Sequence, residues 1–214
     1  MGIFELNQQL SSFYGNPKPI DPPLPFYLKI ADKISTSEQS VDEIIYTTAK
    51  YILDPNKTTL YYGTIGGSND HSLSKTSYNL ITTQFMTIKQ YYSKLLPYPI
   101  IHMIITFAPD YHMSPCDTYK VAELLTSLSD IFNSHQYIFA VHDKQWNYNE
   151  NRYAFPHIHF LINTTNFRTG KTLDFNKTVF EKFRSNILLA LDMAQILEPY
   201  GVSIRRLSKL YHIN

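Results

Sequence analysis

A chain of 214 residues can bury one sizeable core, and its 43% apolar and 14% aromatic content exclude a disordered polymer. Its formal net charge of +1 excludes a surface that holds nucleic-acid phosphates everywhere by charge alone. A single cysteine, Cys116, excludes an intrachain disulfide framework and points to a reducing compartment.

Residues 1–35 show no clear period. Pro17, Pro19, Pro22, Pro23 and Pro25 crowd one stretch, which favours an extended arm over a helix or a central strand. The capping box Ser40-Val41-Asp42-Glu43 predicts a helix to about Leu53, stopped before Asp54-Pro55. Val41, Ile44, Ile45, Thr48 and Ile52 share its buried side, Tyr51 lies at the margin of that stripe, and Tyr46 points the opposite way. Thr59 to Ile65 reads as a short strand ending at Gly66-Gly67. Ser77 to Leu95 reads as a helix, with Leu80, Ile81, Phe85, Ile88 and Tyr92 at helical spacing and Pro97 and Pro99 as its stop. Ile100 to Phe107 is a strong strand. Ser114-Pro115 opens a helix expected to reach about Phe132. Gln136 to His142 and His157 to Thr164 are two further strands. Asn176 caps a last helix to about Tyr200, stopped by Gly201.

The connection 143–156 is polar and has no helical period, so the two histidine-bearing strands are expected to pair as an antiparallel hairpin with a long loop. The fold class expected is therefore α+β, a largely antiparallel central sheet covered by helices. The chain divides into a Pro-rich extension (1–35), one domain (36–200) and a short basic tail (201–214). From Leu161 to Asn214 eight basic residues stand against four acidic ones, which is net +4 there and −3 elsewhere. Such a run reads most simply as a solvated face. Met1 to Phe13 has neither a basic start nor a continuous apolar run, and no apolar stretch is long enough to span a bilayer. A soluble, cytoplasmic chain is expected.

His157 and His159 stand two apart on a strand, so alternation puts both imidazoles on one face. His142 ends the neighbouring strand. In the expected hairpin the three converge with an open side, which is the arrangement a catalytic metal needs. Imidazole nitrogen suits Mn, Zn, Ni or Co better than Mg. The flanks do not fit three other metal folds. A metallo-β-lactamase pattern needs an aspartate and a histidine where Leu161 and Ile162 stand. A cupin needs a glutamate shortly after the pair, and a two-histidine phosphoesterase needs Ser or Thr at position 159.

A wider set of residues fits another family. Phe139-Ala140-Val141-His142-Asp143, Pro156-His157-Ile158-His159-Phe160-Leu161-Ile162-Asn163 and the turn Thr169-Gly170-Lys171 together resemble the third motif of plasmid mobilisation relaxases of the MobP-like, HUH endonuclease type. His102-Met103-Ile104-Ile105-Thr106-Phe107 is similar to that family's His-hydrophobic-Ser/Thr-Phe strand. Ala49-Lys50-Tyr51 through Lys57-Thr58 is similar to its first motif, a helical tyrosine followed by Lys-Thr. The resemblance covers about residues 41–175 with all three motifs in order.

The resemblance implies a DNA relaxase that cuts one strand at a transfer origin through a covalent 5′-phosphotyrosine and later rejoins it. It makes Tyr51 the nucleophile, and His142, His157 and His159 the ligands of a divalent metal, Mn²⁺ or Mg²⁺, with Zn²⁺ or Ni²⁺ as crystal substitutes. His102 is either a support for a ligand imidazole or a satisfied strand histidine. Asn163 either bridges strand and site or caps a turn. Arg168 and Lys171 are candidate phosphate contacts, and the loop aromatics Trp146, Tyr148, Tyr153 and Phe155 either stack on unpaired bases or pack the loop. The family places an orienting aspartate two residues after the first histidine; Lys144 stands there, and Asp143 takes over as the candidate support. The implied partners are single-stranded origin DNA, relaxosome accessory proteins and a coupling protein, in a bacterial cytoplasm without membrane insertion. Two alternatives stay open: a rolling-circle initiator or transposase of the same chemistry, and a catalytically silent DNA-binding accessory protein. Some rolling-circle enzymes carry a second tyrosine four residues after the first, and here that position is Pro55.

Overall fold

A computed structural model describes residues 26–31, 40–65, 68–69, 77–94, 98–144, 146–147 and 151–196. Its strands are β1 (Phe26–Ala31), β2 (Thr58–Ile65), β3 (Ser68–Asn69), β4 (Ile100–Phe107), β5 (His135–His142), β6 (Trp146–Asn147), β7 (Arg152–Tyr153) and β8 (His157–Asn166). Its helices are α1 (Val41–Ile52), α2 (Ser77–Tyr91), α3 (Pro115–Leu128) and α4 (Lys177–Met193). The expected stops at Gly66-Gly67, Pro97 and Gly201, the prolines up to Pro25 and the tail 201–214 lie outside the described residues.

The hairpin expected from the polar connection forms: β5 and β8 pair antiparallel with His142 opposite His157 and Ala140 opposite His159. The short ribbon of β6 and β7 lies within their connection. Six strands make the main sheet in the order β1-β4-β8-β5-β2-β3, with antiparallel neighbours throughout. Strand β5 is buried at every position, as a strand covered on both faces must be. Alternation sends Met103, Ile105, Phe139, Ile158, Phe160 and Ile162 to the face packed by Val121 and Leu125 of α3 and Phe183, Ile187 and Leu191 of α4. Ile100, Ile138, Ala140 and Leu161 go to the other face, under Ile44, Ile45 and Ile52 of α1 and Ile81 and Phe85 of α2. Each such side chain contributes about 1.5–3 kcal/mol, so both helix layers are held by the sheet that separates them. The fold is α+β with an antiparallel sheet, as the pattern predicts.

Several local expectations change. Phe26–Ala31 falls inside the stretch read as an extension, yet it forms the edge strand beside β4, with Phe26 opposite Phe107. Pro25 hides this strand from a pattern reading, although a proline just ahead of an edge strand removes no ladder bond. In α2 the buried line is Ile81, Phe85 and Lys89, while Leu80 is 48% exposed. Lys89 Nζ reaches the Thr164 and Thr165 hydroxyls, each at 3.3 Å, and burial lowers its ammonium to about 7. Tyr46 stays off the buried side of its helix, as expected, and its half-buried ring packs edge-on against Tyr78 at 6.1 Å. Helix α3 stops at Leu128, short of Phe132, where the Asn186 side-chain amide donates to the Leu128 carbonyl and the Ser129 hydroxyl. Helix α4 stops at Met193 rather than near Tyr200. Gln195 there turns left-handed (φ 61°), and the Ile196 N–H donates to the Leu191 carbonyl, a left-handed cap that buries Ile196.

The Thr169-Gly170-Lys171 turn has a packing reason. Asn166 Oδ1 accepts the Arg168 and Thr169 N–H groups, and Gly170 N–H donates to the Asn166 carbonyl. Gly170 is left-handed (φ 68°), and a Cβ added to it would lie 2.3 Å from the Tyr92 ring. Gly170→Ala should therefore cost about 2–4 kcal/mol, combining left-handed strain with overpacking, read as a lower urea midpoint. An unchanged midpoint would mean that Tyr92 yields freely.

Candidate metal and nucleophile site

The register builds the site. Since His142 faces His157 across the β5–β8 pair, and His159 follows two residues on, three imidazoles share the face beneath α1. Ring centroids lie 4.0 Å apart for His142–His159, 5.0 Å for His157–His159 and 5.4 Å for His142–His157. Each histidine offers one nitrogen, and these three atoms lie within 4.8 Å of one another.

The opposite nitrogen of each ring is already engaged. His142 Nε2–H donates to the Ile52 carbonyl at 2.9 Å, and His157 Nδ1–H to the Phe155 carbonyl at 2.9 Å. His159 Nδ1 lies 2.8 Å from His102 Nε2 on β4. These partners leave His142 Nδ1, His157 Nε2 and His159 Nε2 to face one another. Two of them, His142 Nδ1 and His159 Nε2, are buried and make no hydrogen bond. A buried polar atom without a partner costs about 1–3 kcal/mol, which a metal ion would recover. Metal–nitrogen bonds of about 2.0–2.1 Å set such atoms roughly 3–3.5 Å apart, inside the 4.8 Å within which these lie. The residues fit a divalent metal.

Protonation favours the ligand form as well. Burial pushes His142 down to about 4 and lowers His157, in each case against the lift of the carbonyl it donates to. His159 is lowered further, by burial first and then by the charges of His142, His157, His102 and Lys57. Neutral imidazole is the form that binds metal.

Tyr51, in the last turn of α1, lies over this cluster. Its ring centroid is 5.5 Å from that of His142, 5.6 Å from His159 and 6.1 Å from His102, and the residue is 39% exposed. Partial burial raises its phenol above the usual value. Lys57 Nζ stands 3.9 Å from the centre of the same ring. The residues of the first motif thus enclose the histidines of the third.

The family model described as "Relaxase: MobA/VirD2-like, nuclease domain" matches residues 51–188, from Tyr51 through the whole histidine cluster. The chain belongs to this relaxase family. No curated protein matches it. As a relaxase nuclease domain it is a DNA-nicking endonuclease, and it carries a histidine triad able to hold a metal. Among the described residues no helix is long and apolar enough to cross a membrane.

Not every candidate residue of the relaxase lies at the site. His102 does, against His159. Asp143 is adjacent, and its N–H donates to the Lys57 carbonyl at 2.9 Å. The hydrogen bonds of the three imidazoles run to two main-chain carbonyls and His102. Asn163 lies six residues along β8 from His157, roughly 20 Å away. It is fully buried, donates to the Phe85 carbonyl and Gln136 Oε1, and accepts the Thr165 N–H at Oδ1, the local capping contact of the two roles expected. Arg168 and Lys171 follow the far end of β8, roughly 30 Å from His157. Alternation finds residues on one face, but it says nothing of how far along the strand a ligand reaches. Lys57 falls within the first motif, and its place before Thr58 is its sequence signal.

The pH response has a definite sign. Unfolded histidines take up protons near 6.5, whereas folded His142 stays neutral down to about 4. Stability is therefore full above pH 6.5 and falls as the pH drops towards 4, by up to about 1.4 kcal/mol per pH unit for each such histidine. In chelator, the urea midpoint should drop between pH 6.5 and 5, and His142→Gln/His159→Gln should flatten that drop. A flat wild-type profile would contradict neutral burial of the imidazoles.

Proposed function

We propose that this relaxase nicks one DNA strand at a transfer origin by attack of Tyr51 on the scissile phosphate, with later religation. The observation that carries this reading is the placing of one tyrosine over three imidazoles whose remaining nitrogens converge. His142 Nδ1, His157 Nε2 and His159 Nε2 would hold a divalent ion, with Mn²⁺ suited to nitrogen ligands and Mg²⁺ an alternative. When bound, the ion polarises the phosphodiester and offsets the charge of the transition state.

The rest is work for the protein. Tyr51 Oη forms the new bond to phosphorus, and the bond to the 3′ oxygen breaks. The phenol proton leaves to water on the exposed side of the ring, and the departing 3′ oxygen takes one up. The 5′ phosphate stays on Tyr51, which conserves the bond energy for religation. His102 holds the His159 ring, and the Ile52 and Phe155 carbonyls hold the other two. These acceptors fix the tautomers and ring angles that a metal ligand set requires. In this reading the nuclease domain begins at β1 and ends with α4, and accessory relaxosome proteins and a coupling protein act with it at plasmid or mobile-element DNA.

A pool of single strands with a randomised core, incubated with Mn²⁺ or Mg²⁺, should give a protein–DNA adduct that survives denaturant. Tyr51→Phe should lower adduct yield by at least about 10³-fold, and His159→Ala should lose both adduct and metal affinity. An adduct formed equally well by Tyr51→Phe would remove Tyr51 as nucleophile.

A further inference from the structure

Lys57 is held in place from two sides. Its N–H donates to the Asp54 carbonyl, and its own carbonyl accepts the N–H groups of Asp143 and Lys144 at 2.9 and 3.1 Å. Its main chain is therefore bound to the two residues that follow the end of β5. Its ammonium lies against the Tyr51 ring, close enough to His142 and His159 to act on both electrostatically. Among the described residues its carboxylate partner is Asp54 at 3.9 Å, with both side chains more than a quarter exposed. Such a pair is worth about 0–1 kcal/mol.

A cation fixed beside a triad that binds another cation is unfavourable until an anion arrives between them. Two open grooves flank the Pro55-Asn56 turn beside this lysine. A groove of about 440 Å³ is lined by Lys50, Tyr51, Asn56, Lys57 and Tyr78 among others, and one of about 510 Å³ by Pro55, Asn56, Asp143 and Lys144. A strand laid in the first groove passes Lys57 and the Tyr51 ring, which line it.

We infer that Lys57 is a catalytic residue that binds a non-bridging oxygen of the scissile phosphate, facing the oxygen held from the histidine side. This rests on the nicking reading. In the reaction the ammonium donates a hydrogen bond to that oxygen throughout and gives up no proton. Its contact strengthens as charge builds on phosphorus, so its loss slows the bond exchange more than it weakens binding.

The test uses Lys57→Met and Lys57→Arg, with Mn²⁺ affinity by calorimetry as the control for an intact triad. With the randomised-core strands, Lys57→Met should form adduct about 10²–10³-fold more slowly than wild type, and Lys57→Arg should stay within about tenfold. In the Tyr51→Phe background, which cannot be captured covalently, Lys57→Met should reduce the slope of log affinity against log salt by about 0.7, the value of one single-strand phosphate contact. Wild-type adduct rates in Lys57→Met would overturn the proposal. So would a slow variant with an unchanged salt slope, since the lysine would then serve only to pack the tyrosine ring. If wild type forms no adduct, the nicking reading fails by itself, while the salt slope still decides whether Lys57 meets a phosphate.

Discussion

The hydrogen bond from His142 Nε2–H to the Ile52 carbonyl joins the two parts of the molecule that the chemistry needs. Ile52 is the last residue of α1, so its carbonyl is one of the acceptors that a helix end leaves without an internal partner. His142 is the last residue of β5, and its ring must give away one N–H if the other nitrogen is to take a metal. One bond satisfies both needs. It also sets the height of α1 above the sheet, and Tyr51, one residue before Ile52, is carried to the imidazoles as a consequence. Helix end, strand end and Tyr51 are thus a single mechanical unit.

That unit works because the sheet is covered on both faces. The same burial that stabilises β5 and β8 strips water from the imidazoles, and it lowers their proton affinity far enough to keep them neutral. A two-layer fold would leave this face wet, and the histidines would titrate near their usual value. The hydrophobic layers therefore shape the electrostatics of the site, while the turn 54–57 admits charge at its edge. The low net charge of the chain is compatible with this design, since the cations that matter are placed individually.

The long periodic elements were legible in the sequence: α1, β4 and the histidine strands stand close to where their patterns put them. So was the convergence of His142, His157 and His159, because a hairpin and a period of two suffice to produce it. Strand β1 was not legible, since an edge strand after prolines lacks the length and alternation that distinguish it from an arm. The burial of Lys89 was not legible for a different reason. A lysine at a core position is polar to any pattern, and only the Thr164 and Thr165 hydroxyls explain why it is there. Asn163, Arg168 and Lys171 sat near the histidines in sequence, but an extended strand carries each successive residue about 3.3 Å further away.

What the sequence determined by itself was the local chemistry: which residues can cap, which must be buried, and that three imidazoles fall on one face. Those properties depend on neighbours a few positions apart, so they survive without knowledge of the fold. The tertiary structure alone decided which nitrogen of each ring is free. The acceptors that choose are the Ile52 carbonyl, ninety residues from His142, and His102, fifty-seven from His159. It also decided that Lys57 stands over the ring of Tyr51, because that position is set by main-chain bonds to Asp143 and Lys144 across the molecule. Contacts of such separation leave no periodic trace in a chain, and they exist only once the sheet has closed.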